Sequence, residues 1–481
     1  MSDIGTAFTA LRDKRRSYNT LWSYYEGSHP VKYATERLRD LFQDIDVHFV
    51  ENWCAVVINS VYDRLELERF VVHGRDAEDE AATRRLNELF KETELDLDAD
   101  DIHLASLVCG ESFLLEWKNE AGDKQAYYHD PRMCHIAYDP EEPRKKLWAA
   151  KWWEVMVEVG PKIEKRYRVN LYYPDRIEYW QSTKSADKVS SGEHFEKIAE
   201  PEENPYATVP MFHFRKERRD ILSELLDIIP LQDAINKLLA DLMVTSEFAA
   251  IPQRYAVSNA NLKSAKNAAN ELLVIPKGDS MEENTQVGQF NPVKLETFLQ
   301  AMDKLAYAVG VISHTPRHYF YDQGGDPSGE ALMTMEAPLV KKTKRFIRRY
   351  GNTWQRAAAF LLLLDSGLEV RPEDIEPIFT KPETVQPKTM AEIRKLDIDC
   401  GLPLPTVLRR EGWSEEEIEE MEGDREQSGA RDQAGLAKAL MAAEREANRR
   451  GAQQGFPQQQ PPQQELPPPP GSQPESGLPG V

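Results

Sequence analysis

The sequence predicts a mainly α-helical protein that carries one α+β lobe. Apolar residues recur at helical spacing through most of the first hundred residues and in two stretches of similar length, 230–247 and 292–309. Between residues 111 and 214 the pattern changes to short alternating runs separated by turn residues, as in antiparallel strands. With 481 residues the chain is too long for a single core, so we expect two to four domains.

The composition restricts the class of protein. A formal net charge of −21 repels nucleic acid overall and disfavours a simple DNA-binding surface. The four cysteines are widely spaced without a C-x-x-C pair, so we expect mostly buried, reduced thiols and a reducing cytoplasm. The N-terminus lacks a secretory signal and the longest apolar run, 357–364, is too short to span a bilayer, so no membrane role is indicated.

The N-terminal region reads as helices followed by strands. Gly27 is a plausible C-cap for the first helix. The predicted helices cover residues 7–25, 33–42, 52–65, 77–90 and 98–109, so that the first hundred residues are helical. The predicted strands cover residues 112–117, 124–129, 147–158, 165–172, 176–181 and 209–214, and a short helix follows at 221–227.

The two central stretches predict rods about 27 Å long, each with one apolar stripe. Pro230 and Pro292 stand at the predicted first helical positions, with Asn291 as the N-cap of the second rod. The stripes consist of Leu231, Ile235, Leu238 and Leu242 in the first rod and Leu295, Phe298, Met302 and Leu305 in the second. The matched length of the rods suggests a stalk, but the same spacing is typical of two ordinary core helices, and periodicity alone favours the core helices.

The rods enclose one insertion and precede a long loop. Residues 249–291 predict a small subdomain between antiparallel helices, and residues 313–329 predict a mobile loop rich in aromatics and glycines. A helix over 330–365 follows, which Pro338 should kink. Its basic run consists of Lys341, Lys342, Lys344, Arg345, Arg348 and Arg349; a solvated face and a contact with phosphate or an acidic partner are both open.

The C-terminal part predicts a linker at 380–387 and helices at 390–399, 405–411 and 415–449. Past residue 451, glutamine, proline and glycine predict a disordered tail.

Catalytic signals are weak. The chain has no P-loop, H-E-x-x-H, G-x-S-x-G or EF-hand motif. Cys134 and His135 would point to opposite faces of a strand, which disfavours a metal site with His129. His314 and His318 are four residues apart, but Pro316 opposes a helix there. We therefore expect no enzyme activity and no cofactor or metal.

The order of these elements, together with several local motifs, resembles the portal proteins of tailed double-stranded DNA bacteriophages. The resemblance is nearest to siphophages of Gram-positive or actinobacterial hosts and spans most of residues 20–370. The motifs are Tyr24-Tyr25-Glu26-Gly27, Asn52-Trp53 before Asp63-Arg64-Leu65, Ile229-Pro230-Leu231-Gln232-Asp233-Ala234-Ile235-Asn236-Lys237, Phe248-Ala249-Ala250-Ile251-Pro252-Gln253-Arg254, Gly310-Val311 and Ser328-Gly329-Glu330-Ala331-Leu332.

The resemblance implies a portal-type architecture with named parts. These are an N-terminal wing (1–220), a first stem helix region (221–248), a clip (249–291), a second stem helix (292–312), a tunnel loop (313–329), a long kinked helix and wing (330–380), a helical crown (381–450) and the tail (451–481). The tunnel-loop residues implied to meet DNA are Arg317, His318, Tyr319 and Gln323. The clip residues implied to dock partners are Gln253, Arg254, Tyr255 and Lys277.

The implied function is a ring, typically of twelve copies, at one vertex of the capsid. It would form the channel for packaging and ejection of double-stranded DNA and dock the terminase large subunit, then a head-completion adaptor. Major capsid and scaffold proteins are the other implied partners, with assembly in the host cytoplasm and a final place in the virion. Two alternatives are a metal-dependent nuclease and a helical oligomeric scaffold protein without a channel.

Overall fold

The fold is known from a computed structural model. It describes residues 2–30, 32, 50–73, 77–119, 121–216, 220–249, 254–257, 286–289, 294–320, 329–383, 387–411, 418, 421–423 and 425. The chain divides into two units, residues 1–386 and 387–481, and each is considered separately. The first unit is α+β, in agreement with the predicted mixture of helices and antiparallel strands.

The N-terminal helices begin and end at local signals. Gly27 adopts a φ of +72° and donates its N–H to the Ser23 carbonyl, which ends the first helix as predicted. The Asn52 side chain accepts a hydrogen bond from the Ala55 N–H at 3.1 Å and caps the second. The helices are α1 (Asp3–Glu26), α2 (Trp53–Tyr62), α3 (Ala77–Glu92) and α4 (Leu95–Cys109). The predicted helix at 33–42 lies outside the described residues.

One strand interrupts the region predicted to be wholly helical. Strand β1 (Leu67–Val72) pairs antiparallel with β13 (Ile375–Phe379), and Phe70 lies opposite Pro377. The prediction was wrong here because the partner strand lies about three hundred residues away, so no local pattern marks the pairing.

Two further antiparallel sheets form the β part of the lobe. The three-stranded sheet has the order β10-β2-β3, and the larger sheet has the order β4-β5-β6-β7-β8 with the short β9 on β7. The strands are β2 (Glu111–Lys118), β3 (Lys124–His129), β4 (Cys134–Tyr138), β5 (Lys146–Val159), β6 (Lys162–Tyr172), β7 (Arg176–Ser182), β8 (Phe195–Lys197), β9 (Glu202–Glu203) and β10 (Met211–Arg215). The six predicted strands are present, whereas β4, β8 and β9 were missed.

No helix forms at 221–227, where one was predicted; the chain makes turns instead. The Ser223 hydroxyl donates to the Val108 carbonyl at 2.5 Å and accepts from the Leu225 N–H at 3.0 Å. The bond from the Leu225 N–H is local and competes with helical hydrogen bonding, whereas the bond to Val108 ties the turn to a distant segment.

Three long helices dominate the rest of the unit. They are α5 (Ile229–Ala249), α6 (Glu296–Ser313) and the 38-residue α7 (Gly329–Ser366), which contains Pro338. α5 packs against α6. The predicted start of the second rod at Pro292 was wrong, because α6 begins at Glu296, whose carboxylate lies at the positive end of the helix dipole.

The core places α7 at the centre of the first unit. Trp354 and Tyr350 of α7 are fully buried, and the Trp354 indole donates to His103 Nε2 at 3.0 Å. The largest core cluster also contains residues of α1–α6 and of β1, β2, β3, β10 and β13. Side chains on α7 are therefore held firmly relative to the surrounding elements.

The second unit contains α8 (Pro387–Asp399) and α9 (Leu404–Glu411), close to two predicted helices. Of the helix predicted at 415–449, residues 418, 421–423 and 425 are described and helical. The predicted tail at 451–481 lies outside the described residues. No described helix is long and apolar enough to cross a bilayer.

Candidate functional site

The predicted stripes of α5 and α6 are covered to different degrees. Ile235 on α5 and Met302 on α6 are buried and belong to the main core. The other stripe residues are partly buried: Leu231, Leu238, Leu242, Leu295, Phe298 and Leu305. Both helices thus turn part of the predicted apolar stripe towards the body of the unit.

A second apolar face of α6 points to solvent. Leu299, Tyr307 and Val311 follow one another at steps of eight and four, and about half of each side chain's surface is exposed. These three residues form the outer α6 face, on which the exposed Asp303 also lies. Ile312 is about half exposed as well, but it lies about 100° around the helix from Val311. Apolar side chains collected on one helix face are typical of a contact surface.

The chain leaves α6 through a tightly packed turn. His314 adopts a φ of +61° at the C-cap of α6, and its N–H donates to the Gly310 carbonyl. Phe320 is buried with its ring 5.1 Å from the Trp53 ring on α2. A side chain at Gly310 would come within 3.1 Å of the Phe320 ring and of the Thr315 carbonyl, so this close approach favours glycine.

The structure separates the predicted tunnel-loop residues into two environments. Arg317 is exposed, and its guanidinium lies 6.0 Å from the Tyr307 ring centre on the outer α6 face. His318 and Tyr319 are partly buried. Gln323 lies outside the described residues. Of the three described residues, Arg317 is the exposed one.

Arg64 holds the turn against α2 and α7. Its guanidinium donates to the Tyr319 hydroxyl at 2.7 Å and to the Ser60 carbonyl at 2.8 Å. The Glu336 carboxylate on α7 lies 3.5 Å from Arg64 Nη2 and 3.6 Å from His318 Nε2. Sequence reasoning assigned no role to Arg64 or Glu336, because helical periodicity does not show which distant residues meet.

The basic run on α7 includes a buried, paired lysine. The Lys342 ammonium lies 2.5 Å from a Glu224 carboxylate oxygen and donates to the Ser313 carbonyl at 2.8 Å. Lys216 also pairs with Glu224. Burial opposes ionisation of Glu224, but Lys342 and Lys216 outweigh it and hold its pKa below the usual value. Lys344 pairs with Glu383, so a uniformly solvated basic face is excluded.

The predicted clip contains a strand pair at its two ends. β11 (Arg254–Val257) pairs antiparallel with β12 (Gln286–Gln289), and Arg254 lies opposite Gln289. Arg254 and Tyr255 of the predicted docking set lie on β11. Gln253 and Lys277 lie outside the described residues.

The described part of the chain contains no candidate metal site. No group of three or more His, Cys, Asp or Glu side chains there is arranged to hold a metal ion.

Comparisons with known proteins agree on one family. Residues 8–430 match the family model described as phage portal protein, SPP1 Gp6-like. The chain is 22% identical over 406 residues to the portal protein of Mycobacterium phage D29, with 78% of each chain covered. It is 24% identical over 160 residues to the portal protein of Mycobacterium phage L5, which covers 32% of this chain and 33% of that one.

Among solved structures, the chain is similar to a chain from the virion of a native gene transfer agent particle. The TM-score is 0.40 at 12% identity, and the match covers 76% of this chain and 88% of that one.

Proposed function

Since the chain belongs to the SPP1 Gp6-like family of phage portal proteins, we propose that it assembles into a ring of twelve copies at one vertex of a tailed phage capsid. The ring is the channel through which double-stranded DNA enters during packaging and leaves during ejection. The observation that carries this proposal is the family match over residues 8–430, which includes α5, α6, the turn after α6 and α7.

The outer α6 face supports self-association. Leu299, Tyr307, Val311 and Ile312 expose apolar surface on one helix. In the ring, this surface packs against the next copy and loses its contact with water, which stabilises the assembly.

Charge supports loose guidance of DNA in the channel. Each copy carries −21, so twelve copies carry about −252 and make few strong phosphate contacts overall. Arg317 is the described loop side chain best placed to touch the strand, because it is exposed while His318 and Tyr319 are held by Glu336 and Arg64.

The partners follow from the same role. The terminase large subunit docks at the clip, through the segment that holds Arg254 and Tyr255, and supplies the energy for packaging. A head-completion adaptor later takes its place, and major capsid and scaffold proteins surround the ring. The chain itself acts as a structural assembly protein of the virion rather than an enzyme, and it assembles in the host cytoplasm.

Particle mass and negative-stain electron microscopy of the purified chain, alone and coexpressed with capsid and scaffold proteins, test the ring. Twelve copies of the 55.1 kDa chain give about 660 kDa and a central hole. Dimers or tetramers in both preparations would favour the helical scaffold without a channel, and metal-dependent DNA cleavage would favour the nuclease.

A double variant and a control variant test the outer α6 face in the same experiment. Tyr307→Asp together with Val311→Asp should shift the population from rings to small species. Leu97→Asp is the matched control, since Leu97 is an exposed apolar residue on α4, outside this face. Rings formed equally by both variants would remove α6 from the interface.

DNA retention tests the loop. Arg317→Ala should lower the fraction of particles that keep full-length DNA, whereas Arg168→Ala, at an exposed position on β6, should not. Normal packaging and retention in Arg317→Ala particles would contradict the assigned contact with DNA.

A further inference from the structure

A cavity of about 590 Å³ between β10, the start of β5 and the middle of α7 gathers positive charge. Six cationic side chains line it: Arg144, Lys146, Arg215, Arg348, Arg349 and Arg356. No Asp or Glu is among the described residues that line it. Such a concentration is unexpected in a chain whose net charge is −21.

Neutral groups hold two of these cations in place. The Lys146 ammonium donates to the Met211 carbonyl at 2.6 Å and lies 4.7 Å from the Phe212 ring centre. The Arg215 guanidinium lies 4.6 Å from the Tyr138 ring centre. Carbonyls and ring faces attract a cation without cancelling its charge. Arg215 therefore stays positive, and Lys146, whose pKa burial lowers to about 7, is positive below that pH.

The neighbouring buried carboxyls do not neutralise the cavity. Burial raises the pKa of Glu116 well above its usual value, which disfavours a negative charge at this position. The Glu111 carboxylate is engaged by Lys14 at 2.5 Å and by His213 at 2.9 Å. His213 also contacts the Tyr138 hydroxyl at 3.0 Å, which places this network in the cavity wall rather than inside the cavity.

We propose that this cavity binds a ligand that presents several phosphate groups. Planar guanidinium groups donate paired hydrogen bonds that match phosphate oxygens. Several cations around one cavity suit a multiply charged anion, because a single carboxylate would leave most of the positive charge unmatched. The volume lies in the range of small-molecule sites.

The polar and aromatic lining fits the same ligand. Asn352 and Thr353 add neutral hydrogen-bonding groups at the α7 wall, and Tyr138 and Phe212 add ring surfaces. The phosphate groups can belong to a free polyphosphate or to the phosphodiester backbone of DNA. This binding site is additional to the ring and channel, and it does not rest on them.

Calorimetric titration of the full chain, in its assembled state and at low salt, tests the proposal with pyrophosphate and with inorganic phosphate. Pyrophosphate should bind more tightly, because it places two charged groups within reach of the arginines. The double variant Arg144→Gln, Arg348→Gln should weaken pyrophosphate binding by about tenfold or more. Both side chains are exposed, so the fold should tolerate the change.

Arg168→Gln is the matched control, since Arg168 is exposed on β6 and does not line the cavity. It should leave the pyrophosphate affinity within about twofold of the wild type. No binding at millimolar pyrophosphate would overturn the proposal, as would equal weakening in the double variant and the control.

Competition identifies the source of the phosphate. A twelve-base-pair duplex that displaces pyrophosphate from the wild type, and loses affinity in the double variant, assigns the cavity to the DNA backbone. A duplex that leaves pyrophosphate bound assigns the cavity to a free polyphosphate.

Discussion

The charged side chains in two stretches of α7 have different surroundings. Near its start, Glu336 faces Arg64 and His318, and Lys342 faces Glu224. Further along, Arg348 and Arg356 line a cavity that collects further cations and no described carboxylate. The first stretch joins α7 to its neighbours, whereas the second leaves a positive surface open to a ligand.

Residues of one basic run can therefore have different roles in the fold. Neighbouring residues of one helix have nearly the same local sequence, yet Lys342 is buried and paired while Arg348 is exposed. Distant segments decide the outcome: Glu224 precedes α5, whereas Arg144 and Lys146 come from the start of β5. A buried charge that is paired with a carboxylate anchors the helix, whereas cations that gather around a cavity suit the binding of an anion.

Removing Glu224 should break the anchored stretch most severely. Glu224→Ala leaves the buried Lys342 ammonium near Lys216 without the carboxylate that pairs with both, so the free energy of unfolding should fall by about 3–5 kcal/mol. Chemical denaturation of the purified variant measures this. Asp227→Ala, at an exposed position three residues after Glu224, should change it by about 0.5 kcal/mol or less. Similar losses of unfolding free energy in the two variants would contradict the anchoring role of Glu224.

Arg64→Met tests the anchor at the loop. It removes the hydrogen bonds to Ser60 and Tyr319 and leaves Glu336 with His318, so we expect a loss of about 2–3 kcal/mol. Amide hydrogen exchange at residues 317–320 should accelerate as well. Tyr319→Phe removes a single acceptor and should cost about 1 kcal/mol. Unchanged exchange in Arg64→Met would show that the turn is held by other contacts.

The cationic stretch predicts a smaller, pH-dependent effect. Burial, and then the Arg356 guanidinium, lowers the pKa of Lys146 to about 7. The unfolded chain keeps the Lys146 proton up to a pKa of about 10.4. Above pH 7 the unfolded state therefore binds more protons than the folded state, and unfolding becomes less favourable as pH rises.

The contribution of Lys146 between pH 7 and 8 should be about 1 kcal/mol, below the limit of about 1.4 kcal/mol for one proton. Denaturation at both pH values should show this rise in the wild type and its loss in Lys146→Met. Lys145→Met, at the exposed neighbouring residue, should keep it. The same pH dependence in Lys146→Met and the wild type would contradict the assignment.

Local signals in the sequence predicted much of the fold. Gly27 ends α1, and six strands between Glu111 and Arg215 lie where the sequence predicts them. The long helix with Pro338 also lies within one residue of its predicted bounds at each end. Each of these features depends on residues close together in the chain.

The features that were missed depend on distant residues. β1 needs β13, the helix expected at 221–227 is replaced by turns that Ser223 stabilises through Val108, and Arg64 needs Tyr319. The sequence also did not show that two of the three described loop residues are held by Arg64 and by Glu336 of α7. The sequence showed the basic run on α7, but it did not show which distant residues form a cavity with it.

Cryo-electron microscopy of the assembled particle tests the central claim, that this portal chain forms a ring around DNA. We expect Tyr307 and Val311 of the outer α6 face to be buried against the next copy and Arg317 to face the central hole. A ring with that face exposed to solvent and Arg317 on its outer wall would contradict it, as would particles without a ring.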